Sequence, residues 1–286
     1  MKDPIGRVSK IKRSRLLMAG LVCAGLLGLS GPVQAQVQLS PQQLDDLVSR
    51  IALYPDPLLA QILTASTYSD QAAEAARWAD EHSYLTGESL AKAIQEDNLP
   101  WDPSVQALLP FPSVLDMMAG NLFWTRQLGD AVLGQRGDVM DAVQAMRQKA
   151  RDFGYLQNNA QYQVTDGGPG QIQIVPVDPG FYCLPVYDPL IVFGRPRVGL
   201  TVGISFGPRI ALGAAFAPWG WGRSGFEWRS RTMLVDGHAW ARTRENHEAY
   251  RHPYVRPPHA AGPRVERHEL RPTRPQRRGG PVEHRR

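Results

Sequence analysis

Gly203-Ile204-Ser205-Phe206-Gly207 has the Gly-x-Ser-x-Gly spacing of a nucleophile elbow, whose glycines permit a strained strand-to-helix turn that exposes the serine hydroxyl. His238, His247 or His252 would then supply a base and Asp236 an acid. A hydrolase of that fold needs alternating strands and helices, however, and the chain upstream of the motif reads as almost wholly helical. An envelope serine hydrolase using Ser205 and His238 is therefore the alternative reading, and the main one assigns no catalytic residue. His247-Glu248-Ala249-Tyr250-Arg251-His252 approaches a zinc-protease motif with one residue too many. Histidines at i and i+5 diverge by about 140° around a helix, so one metal ion does not reach both.

Asp56 and Asp102 invite paired-carboxylate chemistry, but each is followed by a proline, Pro57 and Pro103. An aspartate whose carboxylate accepts from the free N–H groups of the first turn, with proline at the first helical position, is a helix start. Both are expected to cap helices.

Gly199, Gly203 and Gly207 recur every four residues among Leu200, Val202, Ile204 and Phe206. On a helix they share one face, and on a strand the same spacing also leaves one face bare, so the three form a candidate close-packing surface. Pro208-Arg209 is expected to interrupt this stretch before residues 210–216 continue it, each half being too short to cross a bilayer as a helix. Packing inside the protein, insertion into a membrane surface and self-association all stay open for it.

The elements that must position these residues change character along the chain. Ser40-Pro41-Gln42-Gln43 carries a cap hydroxyl, a proline at the first helical position and a capping-box glutamine, and Leu44, Leu47, Val48 and Ile51 follow at helical spacing. Further helices are expected after Asp56-Pro57, over 70–82, from Thr86 to about 98, after Asp102-Pro103, after Pro112-Ser113, and from Asp138 to a C-terminal cap at Gly154. Beyond 155 the period becomes two. Residues 161–164 and 171–177 flank Asp166-Gly167-Gly168-Pro169-Gly170 as a hairpin, and 181–187 make a third strand stopped by Asp188-Pro189, all in one small antiparallel sheet.

Residues 1–35 carry Lys10, Lys12, Arg13 and Arg15 before an apolar run over 16–29, then Val33-Gln34-Ala35 with small residues at the positions a signal peptidase reads. The run is shorter than the roughly 20 residues of a spanning helix, so a signal peptide cleaved after Ala35 is expected, and with it a periplasmic or envelope-associated location. Cleavage removes Cys23 and leaves Cys183 alone, without an internal disulfide and in an apolar setting that favours burial.

Charge is separated along what remains. Residues 36–180 hold 8 Lys/Arg and 18 Asp/Glu, whereas 181–286 hold 18 and 8, which excludes a uniformly basic nucleic-acid binder. Residues 241–286 alone contain twelve Arg and five Glu with hardly any aliphatic side chains, the composition of a disordered segment. Arg264, Arg267, Arg271, Arg274, Arg277, Arg278, Arg285 and Arg286 are the candidate anion-binding residues, because the planar guanidinium meets phosphate with two hydrogen bonds. The same tail, rich in histidine, is also a candidate for adventitious metal binding.

Arg50-Ile51-Ala52-Leu53-Tyr54-Pro55-Asp56-Pro57-Leu58-Leu59-Ala60-Gln61-Ile62-Leu63, Trp101-Asp102-Pro103-Ser104-Val105, Ile174-Val175-Pro176 and Tyr187-Asp188-Pro189 together resemble an uncharacterised bacterial envelope family, domain of unknown function 3300. The resemblance covers about 40–240. It implies secreted, periplasmic or envelope-attached proteins and brings no catalytic residue, cofactor or activity with it.

The chain is thus expected to be α+β: a signal peptide at 1–35, a mainly α-helical domain at 37–155, a small antiparallel, glycine-rich β section at 156–240, and a disordered Arg/His/Pro-rich tail at 241–286. Its expected role is that of a non-catalytic interaction or structural protein of the envelope. An anionic membrane, lipopolysaccharide or cell-wall surface is the expected partner, with a protein partner also open and nucleic acid excluded. No cofactor and no specific metal site are assigned.

Overall fold

A computed structural model describes residues 38–168, 170–195 and 203–251. The segment 1–35, Gly199 and the tail arginines from Arg264 onward lie outside the described residues.

Local signals place most of the helices. In α1 (Pro41–Val48) the Ser40 hydroxyl accepts from Gln43 N while the Gln43 side chain accepts from Ser40 N at 2.8 Å, and Leu44, Leu47 and Val48 are buried on one face. Helix α2 (Asp56–Ser66) is buried almost all round, the pattern of a core helix. Helices α3 (Ala72–Glu81), α4 (Gly87–Glu96), α5 (Pro103–Gln106) and α6 (Pro112–Gly120) follow. Next come α7 (Leu122–Gly134), which no sequence signal announces, and α8 (Arg136–Asp152). Helix α8 starts two residues before Asp138, and Gly154 follows its end at φ +80°, a left-handed conformation that glycine adopts without strain.

The β section departs from a single sheet. Strands β1 (Tyr162–Gly168) and β2 (Gln171–Pro176) form the expected hairpin. Strand β3 (Phe181–Tyr187) does not join it; Asp188 caps α9 (Pro189–Val192), and β3 pairs instead with β4 (Ile204–Ala211). A 3₁₀ stretch, Ala214–Trp219, leads to β5 (Gly225–Glu227), β6 (Thr232–Val235) and β7 (His238–Ala239), a third antiparallel sheet.

Side chains explain the separation, because they close edges where a further strand would pair. Gln144 of α8 both donates to Ile172 O (3.0 Å) and accepts from Ile172 N (2.7 Å), occupying the free edge of β2. The Tyr162 hydroxyl does the same for β3, accepting from Cys183 N at 2.9 Å and donating to Cys183 O.

Pro208 does not interrupt β4. Cys183 faces Arg209 and Pro185 faces Phe206, so Leu184 alone opposes Gly207 and Pro208, and the proline sits in a bulge where its missing N–H breaks no ladder.

Helical and β parts share two buried clusters, the smaller joining Leu53 and Ala150 to Tyr162, Ile172 and Ile174 of the hairpin. Leu58, Ile62, Leu108, Phe111, Trp219, Trp221, Phe226 and Trp240 belong to the larger cluster. Two of its tryptophans are held by directed bonds: Trp219 Nε1 donates to Gln106 Oε1 (3.0 Å) and Trp221 Nε1 to Ala107 O (3.1 Å), while Gln61 Nε2 donates to Trp219 O (2.9 Å). Residues 156–240 are therefore packed as part of the helical body.

Burial pushes the Tyr54 phenol up to about 12 and raises Tyr162, Tyr182 and Tyr187 as well, all from an ordinary value of 10.0. Above pH 10 the unfolded chain loses protons that the folded chain keeps. The contribution of these phenols is thus complete below pH 10 and falls as pH rises, by on the order of 1 kcal/mol per pH unit for each. Urea midpoints measured between about pH 9 and 11 are expected to be flat at first and then to drop steeply; a flat profile throughout contradicts the burial of these hydroxyls.

Candidate functional site

Asp56 is not a helix cap. The cap position is Pro55, and the carboxylate makes no capping bond. It turns inward, where Oδ1 accepts from Arg147 Nη1 (2.6 Å) and Ile174 N (3.3 Å), and Oδ2 accepts from Trp228 Nε1 (2.9 Å). Arg147 is 0% exposed and also donates to Ala52 O (2.8 Å), Tyr54 O (2.9 Å) and Ile172 O (2.9 Å), its guanidinium lying 5.0 Å from the Trp228 ring centre. The correction has a physical reason: a buried guanidinium needs a counter-charge more than the first turn of α2 needs a cap. Carboxylate and guanidinium are both occupied by protein partners, so the pair ties α2, α8, β2 and the turn at Trp228 together. It offers a substrate neither a base nor an anion site.

Arg147 was legible in one respect. It lies four residues after Val143 on the apolar face of α8, and a charge on such a face requires a buried partner. Asp102, in contrast, caps as expected, its Oδ1 accepting from Ser104 N (2.9 Å) and the Ser104 hydroxyl (2.6 Å).

The residues of the hydrolase alternative are not brought together as an elbow. Ser205 lies inside β4, its hydroxyl donating to Val186 O at 3.3 Å, whereas an elbow serine stands at a strand-to-helix turn. His238 belongs to β7 in a different sheet, its Nδ1 2.8 Å from Asp236 O, and the Asp236 carboxylate pairs with Arg223. Among the described residues no group of three His, Cys, Asp or Glu side chains is placed to hold a metal ion. Cys183 is half-buried on β3.

The glycines differ from one another. A Cβ on Gly203 would stand 2.1 Å from Tyr155 Cδ1, so an aromatic ring lies directly on this residue. At Gly207 the nearest atom, Leu184 O, is 3.6 Å away, an ordinary contact.

Tyr155 also lines a cleft of about 240 Å³. Leu53 and Ile174 are part of its apolar lining, with the rings of Tyr155, Tyr162 and Phe206, and Gln157 and Asn158 bring amides to it. Among the described residues none of its lining side chains carries a formal charge. The backbone edge of β1 beside Asn158 and Asn159 is closed, since Asn159 N donates to Tyr162 O (3.0 Å) and Asn158 Oδ1 accepts from Val164 N (2.6 Å).

The expected tail begins later than 241. Trp240 is buried beneath the Arg136 guanidinium, 4.6 Å from its ring centre, and Arg136 donates to Trp240 O (3.0 Å) and Arg242 O. Arg242 donates to both Thr67 O and Thr67 Oγ1 at 2.7 Å and lies over the Tyr68 ring. Arg244 reaches Asp130 O at 2.9 Å, and Tyr250 packs edge-on against Trp240. Poverty in aliphatic residues argued for disorder here, but two aromatic rings and forked guanidiniums bonded to backbone carbonyls dock the segment as far as Tyr250.

The protein is thus α+β, with helices and small antiparallel sheets, and its sequence places it in an uncharacterised domain family. Residues 40–261 match the family described as "Protein of unknown function (DUF3300)", and the chain belongs to it. A curated relative, the uncharacterized protein YacH of Escherichia coli (strain K12), is 32% identical over 195 residues. That match takes in 57% of this chain and 31% of YacH, so the chain spans about a third of that relative's length. No solved structure matches the chain.

Proposed function

We propose that this protein is a non-catalytic interaction component of the bacterial cell envelope, exported by its N-terminal segment and adhering to anionic surfaces through residues 252–286. The observation that carries the reading is a separation of charge. The described residues hold sixteen Lys/Arg against twenty-three Asp/Glu, a balance of −7, whereas 252–286 hold nine Arg against three Glu, +6. An acidic body is on balance repelled by phosphate-bearing surfaces, which favours the chain after Arg251 as the source of attraction to them. Arg242 and Arg244 are occupied by backbone carbonyls and are not counted among the candidate contacts, which are Arg264, Arg267, Arg271, Arg274, Arg277, Arg278, Arg285 and Arg286. The basic run, apolar run and Ala35 junction of the N-terminal segment support export.

Purified from its host, the mature chain is expected to begin at Gln36 by mass spectrometry and to cosediment with phosphatidylglycerol vesicles but not with phosphatidylcholine vesicles. Truncation after Arg251 is expected to weaken vesicle binding at least about 100-fold at low salt, each arginine near an anionic surface contributing roughly 1 kcal/mol. Raising the salt should erase the difference. Equal binding of the full and truncated chains would overturn the role of the tail.

A further inference from the structure

We propose that the cleft beside Tyr155 binds a neutral saccharide unit. Charge decides the class first. Among the described residues no formally charged side chain lines the cleft, in a protein where 21% of residues are Asp, Glu, Lys or Arg, so none of them compensates a phosphate, carboxylate or ammonium group there.

Shape and polarity decide the rest. A pyranose is amphipathic, with C–H groups on one face and hydroxyls around the rim. The cleft offers both kinds of partner: the partly exposed rings of Tyr155 and Phe206 for the face, and the amides of Gln157 and Asn158 for the hydroxyls. Gln157 Nε2 is held by Gly154 O (2.9 Å) and Asn158 Oδ1 by Val164 N, which fixes both amides in orientation. Among the described residues their remaining polar atoms, Gln157 Oε1 and Asn158 Nδ2, form no hydrogen bond, and neither does the Tyr155 hydroxyl. One acceptor, one donor group and one hydroxyl that does both are thus available at a single aromatic wall.

Gly203 completes the site, because a side chain there would displace the Tyr155 ring that rests on it. A volume of about 240 Å³ accommodates one sugar ring. An extended peptide is the other neutral candidate, but strand addition needs a free backbone edge, and Asn158 and Asn159 already close that edge of β1.

The test is saturation-transfer NMR and calorimetry on the full mature chain. Maltose and N,N′-diacetylchitobiose serve as neutral saccharide probes, with galacturonic acid and penta-alanine as comparisons. Saturable binding of at least one neutral disaccharide is expected, with neither comparison compound competing for it. Tyr155→Ala should weaken that binding at least about tenfold with an unchanged circular dichroism spectrum. Gln157→Ala, at an exposed position, should weaken it about threefold with an unchanged circular dichroism spectrum. The proposal is overturned if no neutral disaccharide binds, if both variants bind as the parent does, or if galacturonic acid or the peptide binds in its place. Truncation after Arg251 should leave saccharide binding intact, which separates this site from the proposed role of the tail.

Discussion

Replacing Arg147 with Met is expected to cost about 3–5 kcal/mol of folding stability, the range found when one member of a buried ion pair is removed. Met fills much of the volume, so the loss is mainly electrostatic. Asp56 would remain 5% exposed without its counter-charge, and the carbonyls of Ala52, Tyr54 and Ile172 would each lose a donor. Arg147→Lys should recover only part of this, because an ammonium cannot reach in the several directions that the fork spans. The double variant Asp56→Asn/Arg147→Met should be less damaged than the sum of the two single changes, since no buried charge is then left alone. Urea denaturation of the four proteins gives the cycle. A loss below about 1 kcal/mol in Arg147→Met would show that the pair is not the joint between helices and hairpin described above.

Gly129→Val should be comparably severe, for a steric reason. Gly129 sits on α7 where the end of α2 crosses it, and a Cβ there would stand 2.2 Å from Ser66 O and 2.8 Å from Ser66 C. Those are backbone atoms, so the two helices themselves must move apart. Overpacking of this kind costs typically 1–3 kcal/mol and more where backbone is displaced, and a β-branched side chain should exceed about 3 kcal/mol. Even Gly129→Ala, which gains roughly 1 kcal/mol of helix propensity, is expected to be destabilising. Gly120, at the end of α6, has no atom within 4 Å of its would-be Cβ, so Gly120→Ala should be neutral or slightly stabilising. Thermal midpoints of the three variants decide the matter. If Gly129→Ala raises the midpoint as Gly120→Ala does, the close crossing is wrong.

Both predictions concern residues whose importance the sequence conceals, and the division follows from the range of the interactions involved. The capping box at Ser40, the cap at Asp102, the hairpin over β1 and β2 and the cap at Asp188 each join residues within a few positions or one turn of each other. Such bonds form between neighbours whatever the rest of the chain does, and so they can be read from neighbours. Helix α7 escaped because its cap residue, Asn121, makes no side-chain capping bond.

The amino-acid sequence by itself therefore determined the starts of the helices with local caps such as α1 and α5, the hairpin, the α+β class, the family motifs and the crowding of positive charge at the end of the chain. Only the tertiary structure decided that Asp56 abandons its helix for Arg147, ninety-one residues away, and that Arg242 docks on Thr67 across 175 residues. It also decided that three small sheets replace one. A buried charge or an open strand edge takes whichever partner folding brings to it, and that partner is not written in the residues alongside.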